Sequence, residues 1–329
     1  DSALPFFKVA LDANPDIEQF WFSYIEALIK AQELKHAKQI IEQAKHRGLE
    51  AERLGIFEAQ LNPAPQEENS VRVGPSRQQL TSLLEHYQSG RYADAEQLAM
   101  SITHDFPENQ FSWKVLAAIY SQTGRQSEAV DANEKAVALS PQDAEAHNNL
   151  GNTLRDFGRV EEAEASYRQA ISLKPGYVEA HFNLANTLQE QGKLNEAIES
   201  FEQALALNPD FTDAHYNLGN TLRELGRLEE AEASYRQAIV LQPEYAEALS
   251  NLGNTLKELG RLDEAETSYR QAIVLKPEFA EAHFNLGNTL KELGRLDEAE
   301  ASYEQAIILK PEYAEVYSNL GLVLRELGR

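Results

Sequence analysis

The sequence predicts an all-α solenoid, a row of antiparallel helix pairs stacked side by side. Three observations carry this. Gly90, Gly124, Gly158, Gly192, Gly226, Gly260, Gly294 and Gly328 recur at a step of 34 residues. Pro107, Pro141, Pro175, Pro209, Pro243, Pro277 and Pro311 keep the same step. Between these marks apolar residues return every three or four positions, the period of one helix face. Periodicity of this kind decides architecture ahead of length, because a repeat array grows by addition and not by enlarging one core. The 329 residues would otherwise suggest two globular domains, since single cores stop growing near roughly 250–300 residues.

The units frame as 76–109, 110–143, 144–177, 178–211, 212–245, 246–279 and 280–313, with a half unit at 314–329. The first two are less regular and the next five regular. In 144–177, Ala146, Leu150, Leu154 and Phe157 give the first segment an apolar stripe. Gly158 follows, where a helix C-terminus favours a residue tolerant of positive φ. Glu161 and Glu162 open the second segment, where acids suit the positive end of the helix dipole. Ala163, Tyr167, Ala170 and Ile171 form its apolar face, and Glu164 and Arg168 pair at i, i+4 opposite. Pro175 ends it, having no N–H to donate. Small residues recur where helices must approach: Ala163, Ala197, Ala231, Ala265 and Ala299 at one place, Gly151, Gly219, Gly253, Gly287 and Gly321 at another, with Ala185 and Ala117 as variants. Tyr167, Phe201, Tyr235, Tyr269 and Tyr303 fill the space beside them.

Residues 1–61 keep the frame weakly. Trp21, Ala37, Ile41 and Ala44 fall where Trp113, Ala129, Asn133 and Ala136 fall in 110–143, and 49–61 reads as an added helix. The polar, Pro-containing 62–75 reads as a linker. It is expected to be either a flexible hinge or the joint to a separately oriented block used for pairing or capping. At the other end, Leu320, Leu324 and Leu327 would lack their next partner. The chain is therefore expected to continue past Arg329, or to associate with another copy through such exposed repeat ends. The only Met is Met100, so the chain reads as an excised fragment or a processed product.

Composition narrows the function. Acids number 53 against 30 bases, a formal charge of −23. Nucleic acid and anionic membranes are poor partners for that balance, since both are gripped through Lys and Arg. Cys is absent, which removes disulfides, thiolate metal sites and Cys nucleophiles. No apolar run approaches the ~20 residues of a membrane span. Residues 1–30 lack the pattern of a signal peptide, so the cytoplasm is the default location. No phosphate loop, H-E-x-x-H or G-x-S-x-G motif occurs. The repeated Glu-Glu pairs read as helix-start and solubility chemistry. No enzyme activity, cofactor or metal is called for. His147, His181, His215 and His283 share a repeat position, but side-by-side helices pack about 8–10 Å apart, and Zn–N bonds near 2 Å need donors far closer together. Trp21, Trp113, Leu249 and Tyr317 hold the same position, as a packing site would accept.

The pattern Leu150-Gly151, Leu154, Gly158, Ala163, Tyr167, Ala170, Pro175 resembles the tetratricopeptide repeat, kept in phase over seven frames. The resemblance implies a right-handed superhelix in which the first helix of each pair lines the concave face.

Two asparagine rows stand out. Asn149, Asn183, Asn217, Asn251, Asn285 and Asn319 share one place, and Asn152, Asn186, Asn220, Asn254 and Asn288 another, three residues on. Asn costs roughly 0.5 kcal/mol against Ala inside a helix, so the rows call for a reason. At i, i+3 each pair lies on one face, which the resemblance places in the groove. An amide offers donor and acceptor together and can bond a peptide backbone whatever its side chains. Duplication alone would also copy any residue, but Asn148, Phe182, Tyr216, Ser250, Phe284 and Ser318, one place earlier, have diverged. Earlier units carry Thr81, Val115, Leu84 and Ala118 at the row positions, so the groove is expected to begin near residue 145. The Lys and Arg residues with which co-chaperone repeats clamp a C-terminal carboxylate are missing: Glu179, Asp213, Glu247 and Glu281 stand at such places. The rows resemble instead the repeat region of O-linked N-acetylglucosamine transferases, which implies a grip on protein substrates for a catalytic domain elsewhere. The expected partner is a protein or peptide segment.

Overall fold

The computed structural model describes residues 4–49, 51–61 and 74–329. Most of the expected linker, 62–73, lies outside them. The described residues form nineteen α-helices and no strand. They fall into two compact units, 1–73 and 74–329.

The first unit holds α1 (Leu4–Ala13), α2 (Glu18–Lys30), α3 (Leu34–His46) and α4 (Ala51–Leu61). Its core gathers Leu11, Trp21, Phe22, Ile25, Leu28, Ile41 and Leu54. The Trp21 indole N–H donates to the Pro15 carbonyl at 2.8 Å and ties α2 to the preceding turn.

The second unit runs through α5 (Arg77–Gln88), α6 (Tyr92–Asp105), α7 (Gln110–Gln122), α8 (Gln126–Leu139), α9 (Ala144–Asp156), α10 (Val160–Leu173), α11 (Val178–Glu190), α12 (Leu194–Leu207), α13 (Thr212–Glu224), α14 (Leu228–Leu241), α15 (Ala246–Glu258), α16 (Leu262–Leu275), α17 (Ala280–Glu292), α18 (Leu296–Leu309) and α19 (Ala314–Glu326). Odd-numbered helices are the first of each pair and even-numbered ones the second. First helices stop at the recurrent glycine, for example Gly158 at φ +84°. The next N–H closes the turn onto the helix five residues back, Arg159 N to Leu154 O at 2.8 Å, a pattern that uses up the free carbonyls of a helix end.

Each hairpin is held by one close approach. At Gly253 an added Cβ would lie 2.7 Å from the Tyr269 ring, and that ring is fully buried. Gly151, Gly219 and Gly287 meet Tyr167, Tyr235 and Tyr303 in the same way. Ala185 stands where the ring opposite is Phe201, and Ala117 where it is replaced by Asn133. Successive first helices also touch each other, α9 with α11, α11 with α13, and so on to α19, whereas successive second helices make no comparable contact. The array therefore curves with its first helices inside.

The second helices are tied by ion pairs that cross from repeat to repeat. Arg261 reaches Glu232 at 2.5 Å and Glu264 at 2.6 Å, while Arg236 reaches the same two at 2.9 and 3.4 Å. Arg295, Arg270, Glu266 and Glu298 repeat this ring one unit later. Hydrogen bonds from Arg261 and Arg295 hold the Glu264 and Glu298 carboxyls below their ordinary pKa. Carboxyls depressed on folding contribute stability above the unfolded-chain value and lose it as pH falls through the folded one. These groups are solvent-exposed, so salt also weakens them.

Two measurements test these features. Gly253→Ala should lower stability by about 1–3 kcal/mol in urea unfolding, while Gly321→Ala, where nothing lies within 4 Å of the added Cβ, should raise it by about 0.5–1 kcal/mol. Equal effects at the two sites would refute the close-approach account. Stability should fall on acidification below pH 4.5, the ordinary Glu value, and the drop should be smaller in the Glu264→Gln, Glu298→Gln double variant.

Candidate functional site

The inner surface of the curve is built from first helices, and both asparagine rows lie on these helices. All eleven residues are half-buried, neither sunk in the core nor standing free. The structure brings them together across repeats. The Asn217 side chain donates Nδ2–H to Oδ1 of Asn186 in the preceding repeat at 2.9 Å. Asn251 does the same to Asn220 at 2.9 Å, Asn285 to Asn254 at 3.0 Å and Asn319 to Asn288 at 2.8 Å. Asn183 departs from the scheme and donates to Asn148 at 3.1 Å. Asn251 also reaches the Tyr216 hydroxyl at 3.1 Å.

The acceptor in three of the four Asn-to-Asn links, Asn220, Asn254 and Asn288, is engaged twice. The buried tyrosine of the same hairpin emerges beside its glycine and donates its hydroxyl to the second-row oxygen: Tyr167 to Asn152, Tyr269 to Asn254 and Tyr303 to Asn288 at 2.7 Å, Tyr235 to Asn220 at 2.8 Å. Phe201 has no hydroxyl, so Asn186 accepts from Asn217 alone. Behind the first row Thr187, Thr221, Thr255 and Thr289 are buried and bond back to the carbonyls of Asn183, Asn217, Asn251 and Asn285.

Each link thus consumes the first-row N–H and the second-row oxygen. The other halves remain. Among the described residues Oδ1 of Asn183, Asn217, Asn285 and Asn319 accepts no hydrogen bond, and Nδ2 of Asn152, Asn186, Asn220 and Asn288 donates none. A long contact of 3.5 Å joins Asn254 Nδ2 to Asn251 Oδ1. The junctions 152/183, 186/217 and 288/319 therefore each keep one acceptor and one donor, the complement of one peptide residue, whereas 220/251 keeps the donor and 254/285 the acceptor.

The divergent positions one place before the first row have a packing role. Phe182, Tyr216 and Phe284 meet Phe211, Tyr245 and Tyr313, the last residues of their own repeats and the N-caps of the next first helices, at centroid separations of 4.6–5.0 Å. The aromatic members of this position thus vary with the ring they pack against. The histidines too are framework. His147, His181, His215 and His283 place Nε2 2.9–3.1 Å from the carbonyls of Pro141, Pro175, Pro209 and Pro277, so the ring N–H donates there. Trp113 does the same to Pro107 at 2.8 Å. Leu249 has no such donor, and the Pro243 carbonyl goes without this tether. Among the described residues no group of His, Asp and Glu is placed to hold a metal, and no helix is long and apolar enough to cross a membrane.

Sequence reasoning found the two rows but missed their tyrosine and threonine supports. A signal was there: glycine opposite tyrosine four times, and alanine opposite phenylalanine once.

Fold and face together define a repeat solenoid with an amide-lined inner surface. Tetratricopeptide repeat models match residues 182–248, 142–210 and 234–267, and a TPR repeat model matches 117–156, 253–294 and 287–328. The matches run from 117 to 328 without a gap, and the chain belongs to the tetratricopeptide repeat family. Among solved structures it is similar to YrrB, described as a TPR protein with an unusual peptide-binding site, at 26% identity and TM-score 0.52, over 57% of this chain and 97% of that one. It is similar to the MamA protein at 26% identity and TM-score 0.50, over 53% and 96%. The C-terminal part of a TPR repeat-containing protein from Cytophaga hutchinsonii shares the fold at 14% identity and TM-score 0.62, over 73% and 99%. No curated protein matches the sequence at a significant level.

Tyr269→Phe should cost about 0.5–1.5 kcal/mol by removing one buried hydrogen bond, read by urea unfolding; no change would detach the hydroxyl from the ladder. Burial raises the tyrosine phenols, Tyr303 to about 12. A group whose folded pKa is raised loses its contribution as pH rises past the unfolded value, so the Tyr303→Phe variant should lose less stability than wild type between pH 10 and 12.

Proposed function

We propose that residues 144–329 bind an extended polypeptide segment along the concave face, with the asparagine rows holding its backbone. The observation that carries this is the half-used state of the amides. The framework takes one edge of most of them and leaves a donor, an acceptor or both at each junction. A backbone supplies the matching groups at regular intervals regardless of sequence, so one surface can hold segments of differing composition. The peptide-binding site named for YrrB supports a ligand of this class.

Recruitment of substrate to a protein glycosyltransferase is a special case of the same grip. It adds the requirement of a catalytic domain elsewhere, and the similarities above do not speak to one. Association of copies through the half-buried Leu320 and Leu324 on α19 is a separate possibility that a sedimentation series over concentration decides.

The test uses a peptide of about 12 residues selected from a random library on the wild-type chain. Asn217→Ala, Asn251→Ala and Asn285→Ala together should weaken its binding about tenfold or more, because each lost hydrogen bond is worth about 0.5–1.5 kcal/mol. Circular dichroism should show the helices intact. Undiminished binding by a folded triple variant would end the proposal.

A further inference from the structure

The head of the amide rows is built differently from the rest. In 110–143 the place of the buried tyrosine is taken by Asn133 and the place of its glycine by Ala117. Asn133 is short, and the space that a ring fills in later repeats stays open. A cleft of about 210 Å³ results, lined by Lys114, Ser121 and Gln122 of α7, Asn133 of α8, and Asn149 and Asn152 of α9. Two further observations mark the same spot. First helices α5 and α7 touch, as do α9 and α11, but α7 and α9 do not approach as closely. The apolar core of the second unit also divides here, one cluster reaching Ala132 and the other starting at Val130.

The lining groups are poised for a ligand. Asn133 is 4% exposed; its Nδ2–H donates to Thr153 Oγ1 at 2.8 Å, and its Oδ1 accepts no bond among the described residues. Asn149 has Ala118 where later repeats place an asparagine acceptor, so neither end of its amide is engaged. The Ser121 hydroxyl and the Gln122 amide are likewise unbonded among the described residues. Charge is balanced against ions of either sign. Lys114 sits 2.7 Å from Glu145 and 3.5 Å from Asp143. An incoming cation would meet the ammonium, and an anion the two carboxylates it holds.

We propose that this cleft is a side-chain subsite for a primary amide, the side chain of an Asn or Gln residue, at the start of the concave groove. It rests on the reading of that groove as a polypeptide site but makes a separate demand on the ligand. The rows accept any backbone, whereas the cleft selects one neutral side chain able to donate and accept at once. It gives an otherwise uniform surface a fixed starting register.

The probes are N-acetyl-glutamine methylamide, N-acetyl-leucine methylamide and N-acetyl-glutamate methylamide, titrated into the methyl-labelled full chain and followed by NMR. The glutamine probe should shift the Ala118 and Thr153 methyl resonances with a Kd at least about fivefold lower than either other probe. Gln122→Ala, at an exposed position that does not threaten folding, should weaken it about threefold. Ala117→Gly with Asn133→Tyr, which restores the residues of later repeats, should fill the cleft and abolish the shifts. Equal binding of all three probes overturns the proposal, as does a glutamine response unchanged in both variants. A single capped residue cannot span the rows. Its response should therefore survive Asn217→Ala, Asn251→Ala and Asn285→Ala, which separates failure of the subsite from failure of the groove.

Discussion

A first helix and the tyrosine ring behind it lie too close for even a methyl group between them. From that contact the inner surface follows. With glycine in place, the ring passes beside the helix and delivers its hydroxyl to the far side, at the second-row oxygen. Once that oxygen accepts from tyrosine, the amide cannot turn over without losing the bond. Its N–H₂ then points away from the hydroxyl, and at Asn220, Asn254 and Asn288 the first-row residue of the next repeat presents its own N–H to the same oxygen. Amide orientation along the groove is thus set from within the hydrophobic core. A half-buried amide held this way has lost its rotational freedom before any ligand arrives, which removes one of the usual costs of binding.

The rest of the array is held by terms that reach no further than the adjacent repeat. Ion-pair rings join Glu232 to Arg261 and Glu266 to Arg295, and aromatic contacts join Phe182 to Phe211 and Phe284 to Tyr313. Nearest-neighbour coupling is what lets such a molecule extend without a central core. It also lets one repeat depart from the pattern without disturbing those further along, as 178–211 does with Phe201 and 110–143 does with Asn133.

The architecture was legible in the sequence because its causes are local. A glycine at positive φ, a proline that cannot donate and an apolar face of helical period each act within one hairpin. The asparagine rows were legible as repeated polar residues at a place where helices gain nothing from them. Their division into used and unused edges was not, since it depends on the tyrosine hydroxyl fifteen residues away in the chain and on the neighbouring repeat. In sequence the divergence of Phe182, Tyr216 and Phe284 beside constant asparagines argues against mere copying; in space it is also partner choice between packed rings. Packing against another ring and exposure to a groove leave the same signature in one chain, and only the contacts separate them. The cleft at Asn133 lay open in the sequence as a missing ring, yet an absent side chain does not say whether the helices close over it.

Leu249 carries a mechanical consequence. Its neighbours in register, His215 and His283, fasten the loop before their helix through a ring nitrogen and a proline carbonyl. At Leu249 that side-chain bond is missing, and the residue packs instead with Ala272 and Ala282. Dispersion contacts are less directional than a hydrogen bond, so the joint between α14 and α15 lacks an angular restraint that the joints before α13 and α17 possess.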